Sequence, residues 1–224
     1  MNDESQATPP PEPTLPFEDP AQPAVAGLIE TVKLFITDPT TAFRRMSLTI
    51  DVFRPLIYGV LMGWIGQAVA FVFALMFPVS ILGFLSGVAD LDEISPLLAM
   101  GFGIGLFQLI LAPIFIAIGL FIYSLIVHLC LMIVGGDKSG FGATFRVLCY
   151  GNTSQLAQIV PFVGGTIAFV WSLILVILGL TQAHRTTTGK AVAAVLLPLL
   201  ACCVCVAIAV AMAVAFGIGA DSWR

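Results

Sequence analysis

Charged side chains are what this sequence has least of: nine Lys and Arg and thirteen Asp and Glu in 224 residues, 10% charged against 59% hydrophobic. A soluble domain is about a quarter charged. Together with a mean hydropathy of +1.05, this excludes a water-exposed globule and implies an integral membrane protein. Catalytic signatures are missing as well. There is no HExxH, no GxSxG and no phosphate-binding loop, and Cys149 has no neighbouring base in sequence. Gly101, Gly103 and Gly105 mimic a nucleotide fingerprint, but no strand precedes them, so they read as packing glycines. No enzymatic activity, cofactor, metal or nucleic-acid partner is expected. Cysteine is confined to Cys130, Cys149, Cys202, Cys203 and Cys205, all in apolar stretches. That placement argues against a disulfide framework and for buried packing. Carboxylates are absent from every long apolar run, which argues against a proton- or sodium-coupled carrier.

What remains is apolar length with a one-sided charge distribution. The stretches 55–89, 94–136, 147–184 and 191–220 hold no Asp, Glu, Lys or Arg. Each exceeds the roughly 20 apolar residues that cross a hydrocarbon core of about 30 Å. The positive-inside rule places Lys33, Arg44, Arg45, Arg54, Lys138, Arg146, Arg185 and Lys190 on one side, and only Arg224 violates it. Residues 55–77 form the first span, and the connection 78–95 carries Asp90, Asp92 and Glu93 with no base. The uncharged run 96–136 would be about 60 Å long as one helix, and Pro113 divides it. Because Lys138 and Arg146 must return to the cytoplasm, one kinked passage is expected, with 97–112 interfacial or tilted. Between Arg146 and Arg185 the crossings must be even. Two spans fit if the chain reverses at Pro161 to Gly165, with Pro stopping one helix and the glycines permitting the turn. A last span covers 191–216. The predicted fold is all-α, a polytopic membrane bundle of five transmembrane helices with the N-terminus cytoplasmic and the C-terminus outside.

Residues 1–23, rich in Pro and holding five of the thirteen acids, read as a disordered cytoplasmic tail and not as a signal peptide. Residues 24–46 read as amphipathic interfacial helices. Val25, Leu28, Ile29, Val32, Phe35 and Ile36 recur at helical spacing opposite Glu30 and Lys33. Asp38-Pro39 then signals a second helix start. Phe43 beside Arg44 and Arg45, with Arg54 further on, suits the interface of an anionic leaflet, and a helix docked on the bundle is an equal reading. Residues 47–217 form the membrane domain, where Gly59 and Gly63 make a close-approach step. Residues 218–224 are a short outside tail.

The arm after Val147 is polar for a membrane helix, with Tyr150, Asn152, Thr153, Ser154, Gln155 and Gln158, and must be enclosed. His128 is the ionisable group well inside a span. It reads as a neutral imidazole donating to Tyr150, Asn152 or a carbonyl; a channel or transporter lined by Gln67, His128, Tyr150, Asn152, Gln155 and Gln158 is the alternative. His184 beside Arg185 reads as a solvated interface residue.

In chain order, Phe35 with Asp38-Pro39 and Phe43, His128-Leu129, Gly135-Gly136, Thr144-Phe145-Arg146 with Tyr150, Pro161 with Gly164, Trp171, Gly179-Leu180, His184 and Lys190-Ala191 resemble the Yip domain family. The resemblance implies a five-span, N-inside membrane protein, from a family whose eukaryotic members assist membrane trafficking and associate with Rab-type GTPases. The Asp-Leu-Tyr-Gly-Pro and Gly-Tyr motifs of those members are absent and the N-terminal pattern is closer to bacterial relatives, so a Rab-type partner is not expected. The expectation is a multi-pass protein of the bacterial inner membrane, a non-enzymatic scaffold or adaptor in membrane organisation or trafficking. Its partners would be the lipid bilayer and other membrane proteins, with self-association left open.

Overall fold

The computed structural model describes residues 14–48, 51–85 and 91–221, with side chains described outside 78–99 and 213–224. The described residues are predominantly helical, with no strand among them. Its elements are α1 (Ala24–Thr37), α2 (Pro39–Arg45), α3 (Phe53–Leu85), α4 (Leu91–Ile133), α5 (Gly140–Gly151), a 3₁₀ helix (Asn152–Ile159), α6 (Gly164–Ala183) and α7 (Thr188–Asp221). Four of these are long and apolar enough to cross a membrane, over Phe53–Phe77, Met100–Ile133, Gly164–Ala183 and Thr188–Met212. The arm expected as a further span is α5 continued by the 3₁₀ helix.

Glycines of α3 dictate how that arm packs. An added Cβ at Gly59 would lie 3.0 Å from the Cα of Cys149, at Gly63 2.7 Å from Asn152 Nδ2 and at Gly66 2.8 Å from the carbonyl of Gln155. Further on, the rings of Phe77 and Phe162 meet edge to face at 5.4 Å. The partners advance together, so α5 and the 3₁₀ helix run alongside α3 in the same direction. The expected Gly59–Gly63 step therefore continues to Gly66 and admits a polar backbone as well as a helix. α6 returns antiparallel, with Gly164 against Ala157, Val176 against Gly151 and Gly179 against Val147. α4 runs antiparallel to α3: Leu120 lies at Gly59, Ile116 at Gly63 and Gly105 at Phe71. Helix α4 continues through Pro113 as a single element. Proline there lacks the amide that would bond the Leu109 carbonyl, and the Trp64 indole donates to that carbonyl at 3.0 Å instead.

Several expectations are corrected. Of the tail expected to be disordered over 1–23, residues 1–13 lie outside the described residues, but 14–23 are packed. Leu15 is fully buried in the core, and the Phe17 amide donates to Thr31 Oγ1 at 2.9 Å. Tail composition averaged away Leu15, Phe17 and Glu18, whose side chains find partners in the bundle. In α1 the buried stripe is Gly27, Thr31 and Phe35, while Val25, Ile29 and Ile36 of the apolar pattern stay exposed. Phe43, expected as an interface anchor, is 2% exposed; its ring packs on Phe35 at 4.9 Å and fills the space left by Gly179. Asp38 does cap α2, accepting from the Thr41 amide at 3.0 Å, and hydrogen bonds from Thr41 hold its carboxyl below the usual range. The reversal after the 3₁₀ helix places Phe162, not a glycine, in the left-handed region at φ 65°. Gly164 is needed for contact instead, since a Cβ there would meet the Ala157 carbonyl at 2.6 Å. Gly101 and Gly103 have nothing within 4 Å of an added Cβ, so they pack on no described residue. Cys202, Cys203 and Cys205 are exposed, not buried. The connection 86–90, including Asp90, and the end 222–224 of the tail expected outside lie beyond the described residues.

Candidate functional site

The polar and charged groups converge where α5 begins. Its residues 143–151 are all buried, because the segment is walled by α3, α4 and α6. A membrane helix bundle tolerates such a polar element only where every group finds a partner.

One half of the convergence is a ring of two histidines. His184, fully buried, places Nδ1 3.0 Å from Asp137 Oδ1 and Nε2 2.9 Å from Thr144 Oγ1. Thr144 Oγ1 lies 3.1 Å from His128 Nδ1, and His128 Nε2 is 3.9 Å from Asp137 Oδ2. The carboxylate contact is the charge-assisted one at His184, so it sets the proton on Nδ1. Nε2 then accepts from the Thr144 hydroxyl, which in turn accepts from His128. The amides of Lys138 and Ser139 approach the same His184 Nδ1 at a longer 3.3 Å. Burial, the largest influence, pushes the His184 pKa below its ordinary value, with His128 adding to this and Asp137 opposing it.

His184 is thus corrected from a solvated loop residue to a buried hub. His128 bonds Thr144 and not Tyr150 or Asn152, whose side chains donate to Glu18 and to the Gly59 carbonyl instead. Among the described residues no group of three His, Cys, Asp or Glu has metal-binding geometry. Around the ring, the Ser139 hydroxyl donates to the Ala183 carbonyl at 2.7 Å, Lys138 Nζ to Arg185 O at 3.1 Å and Lys190 Nζ to Gly135 O at 2.8 Å. Gly135 itself takes φ 63°, a conformation suited to glycine.

The other half is built on Arg146, 2% exposed. Its guanidinium donates to the Glu18 carboxylate and to the Asp51 carbonyl. Glu18 also accepts from Tyr150 Oη at 2.8 Å and from the Ser47 amide at 2.9 Å. Arg54 donates to the carbonyls of Glu18 at 2.8 Å and Phe17 at 3.3 Å. Beneath lie packed rings, Phe35 stacked on Tyr150 at 5.6 Å and Tyr58 tilted against Tyr150 at 4.9 Å. Thr153 donates to the Tyr150 carbonyl at 2.7 Å, so the 2.7 Å contact between Tyr58 and Thr153 has Tyr58 as donor.

Most of the residues singled out from sequence therefore collect at one end of the bundle: His128, Gly135, Gly136, Arg146, Tyr150, Gly179, His184 and Lys190. Phe145 packs on Phe121 and Phe141 nearby. Trp171 lies partly buried against the core, and Pro161 and Gly164 sit at the other end of the arm. Arg44 and Arg45 are exposed. Sequence reasoning missed Glu18 and Asp137, and named Thr144 only as part of the Thr144-Phe145-Arg146 piece. Thr144, sixteen residues from His128 and forty from His184, carried no local signal beyond its place beside Phe145-Arg146.

Residues 33–210 match the Yip1 domain family. The chain belongs to the Yip1 domain family. No curated protein and no solved structure gives a significant match. The Yip1 match takes in the histidine ring, Arg146 and the long apolar helices as far as residue 210 in α7, but begins after Glu18.

Proposed function

We propose that this Yip1 domain protein is a non-enzymatic scaffold or adaptor in the bacterial inner membrane. In this reading it crosses five times, with the N-terminus cytoplasmic and the C-terminus outside. It presents the segments 43–54, 137–146 and 185–190 to other membrane proteins. The observation that carries the reading is that these three segments are tied to one another at a single end of the bundle, through Lys138 to Arg185 and Arg146 to Asp51. Arg44, Arg45, Lys138, Arg185 and Lys190 remain exposed there. A one-sided cationic face of this kind belongs on the cytoplasmic side. The fifth crossing is supported by reach. Twelve α and eight 3₁₀ residues span about 34 Å at 1.5 and 2.0 Å per residue, and they run beside α3.

Purification in mild detergent followed by mass spectrometry tests this. Specific membrane proteins should co-purify with the wild type and be lost from Arg44→Glu/Arg45→Glu. Identical recovery from both would contradict the adaptor reading. A channel or transporter is the second reading. A cavity of about 250 Å³ at mid-depth of α3 is lined by Gln67, Tyr123, Asn152, Gln155 and Gln158. His128 and Tyr150, expected on the same pathway, do not line it. Solute flux into liposomes that Gln155→Ala abolishes would favour transport.

A further inference from the structure

We propose that Arg146, Tyr150, the Ser47 amide and Arg54 form an anion site for a phosphate group, in which Glu18 is a built-in occupant. The inference goes beyond the scaffold reading and does not depend on it. The carboxylate of Glu18 accepts from Arg146, Tyr150 and Ser47, an arrangement of guanidinium, hydroxyl and amide donors that binds a phosphate oxyanion as well as it binds a carboxylate. Glu18 arrives from 128 residues away in sequence, on a segment that precedes the family match at residues 33–210. The donors belong to the membrane domain or its immediate approach, whereas the occupant belongs to the N-terminal segment.

Beside the pair lies an open cavity of about 270 Å³, lined by Glu18, Ser47, Asp51, Arg54 and Arg146 together with Thr14 and Pro20. It leaves room for a group larger than a carboxylate. Asp51 is the other acid at the cavity, and its carboxylate is engaged, accepting from the Phe53 amide at the start of α3 at 3.0 Å. With Glu18 seated, Arg54 and Arg146 are balanced by Glu18 and Asp51. With Glu18 swung out, the pocket carries a net positive charge at the positive end of a 33-residue helix. A buried guanidinium does not tolerate an empty partner position, so Glu18 leaves only in exchange for another anion. Leu15, fully buried, and Phe17, whose ring lies 5.7 Å from that of Tyr58, keep the segment attached while Glu18 exchanges. Phospholipid headgroups and free phosphate share the recognised chemistry.

The test uses the full chain. Native mass spectrometry measures retention of phosphatidylglycerol against phosphatidylcholine, and ³¹P NMR measures binding of inorganic phosphate. Removing the internal competitor with Glu18→Gln should tighten one probe on the order of tenfold, as the competent fraction of sites rises. Adding Arg146→Gln or Arg54→Gln should remove the gain. A gain for phosphatidylglycerol alone identifies a lipid headgroup as the source, and a gain for inorganic phosphate identifies a soluble one. If Glu18→Gln does not fold, Glu18→Asp, whose shorter arm loosens the same contacts, should show a smaller gain. A folded Glu18→Gln or Glu18→Asp that binds neither probe more tightly than the wild type overturns the proposal. So does a gain that persists without Arg146 and Arg54.

Discussion

At the end of the bundle that carries the basic loops, α5 is buried over residues 143–151, and Arg146, His184 and Tyr150 each bond two or more partners. At the far end of α7, Leu200, Val204, Val206, Ile208 and Val210 are all more than half exposed. The contrast extends along the helices. A third of the most apolar window of α6 is buried inside the protein, against 6% for α7. Lipid tails solvate apolar side chains as well as other helices do, so the far end needs no internal partner. Polar groups cannot be left to lipid, and cohesion therefore concentrates where they meet. Stability should be carried unequally by the two ends.

The largest effect should come from Arg146→Ala, which strands Glu18 among buried partners. A loss of about 3–5 kcal/mol is expected, read as a lower unfolding midpoint in detergent, and a change below 1 kcal/mol would break the contrast. Gly179→Leu drives a side chain into the Phe43 ring and Val147, contacted at 2.8 and 2.5 Å by even a Cβ. Overpacking of this kind costs about 1–3 kcal/mol, and repacking with Phe43→Ala should recover part of it.

How much of this was legible in sequence follows from the same physics. Apolar length and charge asymmetry identified the helices and the clustered basic end, because those signals are continuous along the chain. The family resemblance was legible from spaced pieces such as His128-Leu129 and Gly135-Gly136. What stayed hidden is what depends on distant pairing. Glu18 looked like one acid among several in a proline-rich tail, and nothing local distinguishes it from Asp19. Phe43 had the same appearance whether it pointed into lipid or into the space beside Gly179. His184 looked solvated because its neighbour Arg185 is, yet the helix end turns the two side chains to opposite environments.

A smaller effect separates the ends by pH. His184 has a folded pKa held below the ordinary 6.5 by burial, so the unfolded chain takes up its proton first as pH falls. Stability is full above about pH 6.5 and is lost as pH drops from there toward the lower folded pKa. The groups facing the ring are Asp137, His128, Thr144, Lys138 and Ser139. The unfolding midpoint should fall on moving from about pH 7 to about pH 5, and His184→Gln should flatten that dependence. The smallest effect is expected at the far end. Cys203→Ala, on an exposed position, should change stability by less than about 0.5 kcal/mol, and a larger loss would show that a partner covers α7.

The central claim is that α5 and the 3₁₀ helix carry the chain across the membrane beside α3, so that the basic loops and Phe162 lie on opposite sides. Single cysteines at Ser139 and Phe162, in a background with the five native cysteines replaced, test it with a membrane-impermeant thiol reagent applied to intact spheroplasts. Labelling of Phe162→Cys but not of Ser139→Cys until the membrane is opened is the predicted result. Protection of both positions, or labelling of both, would contradict it.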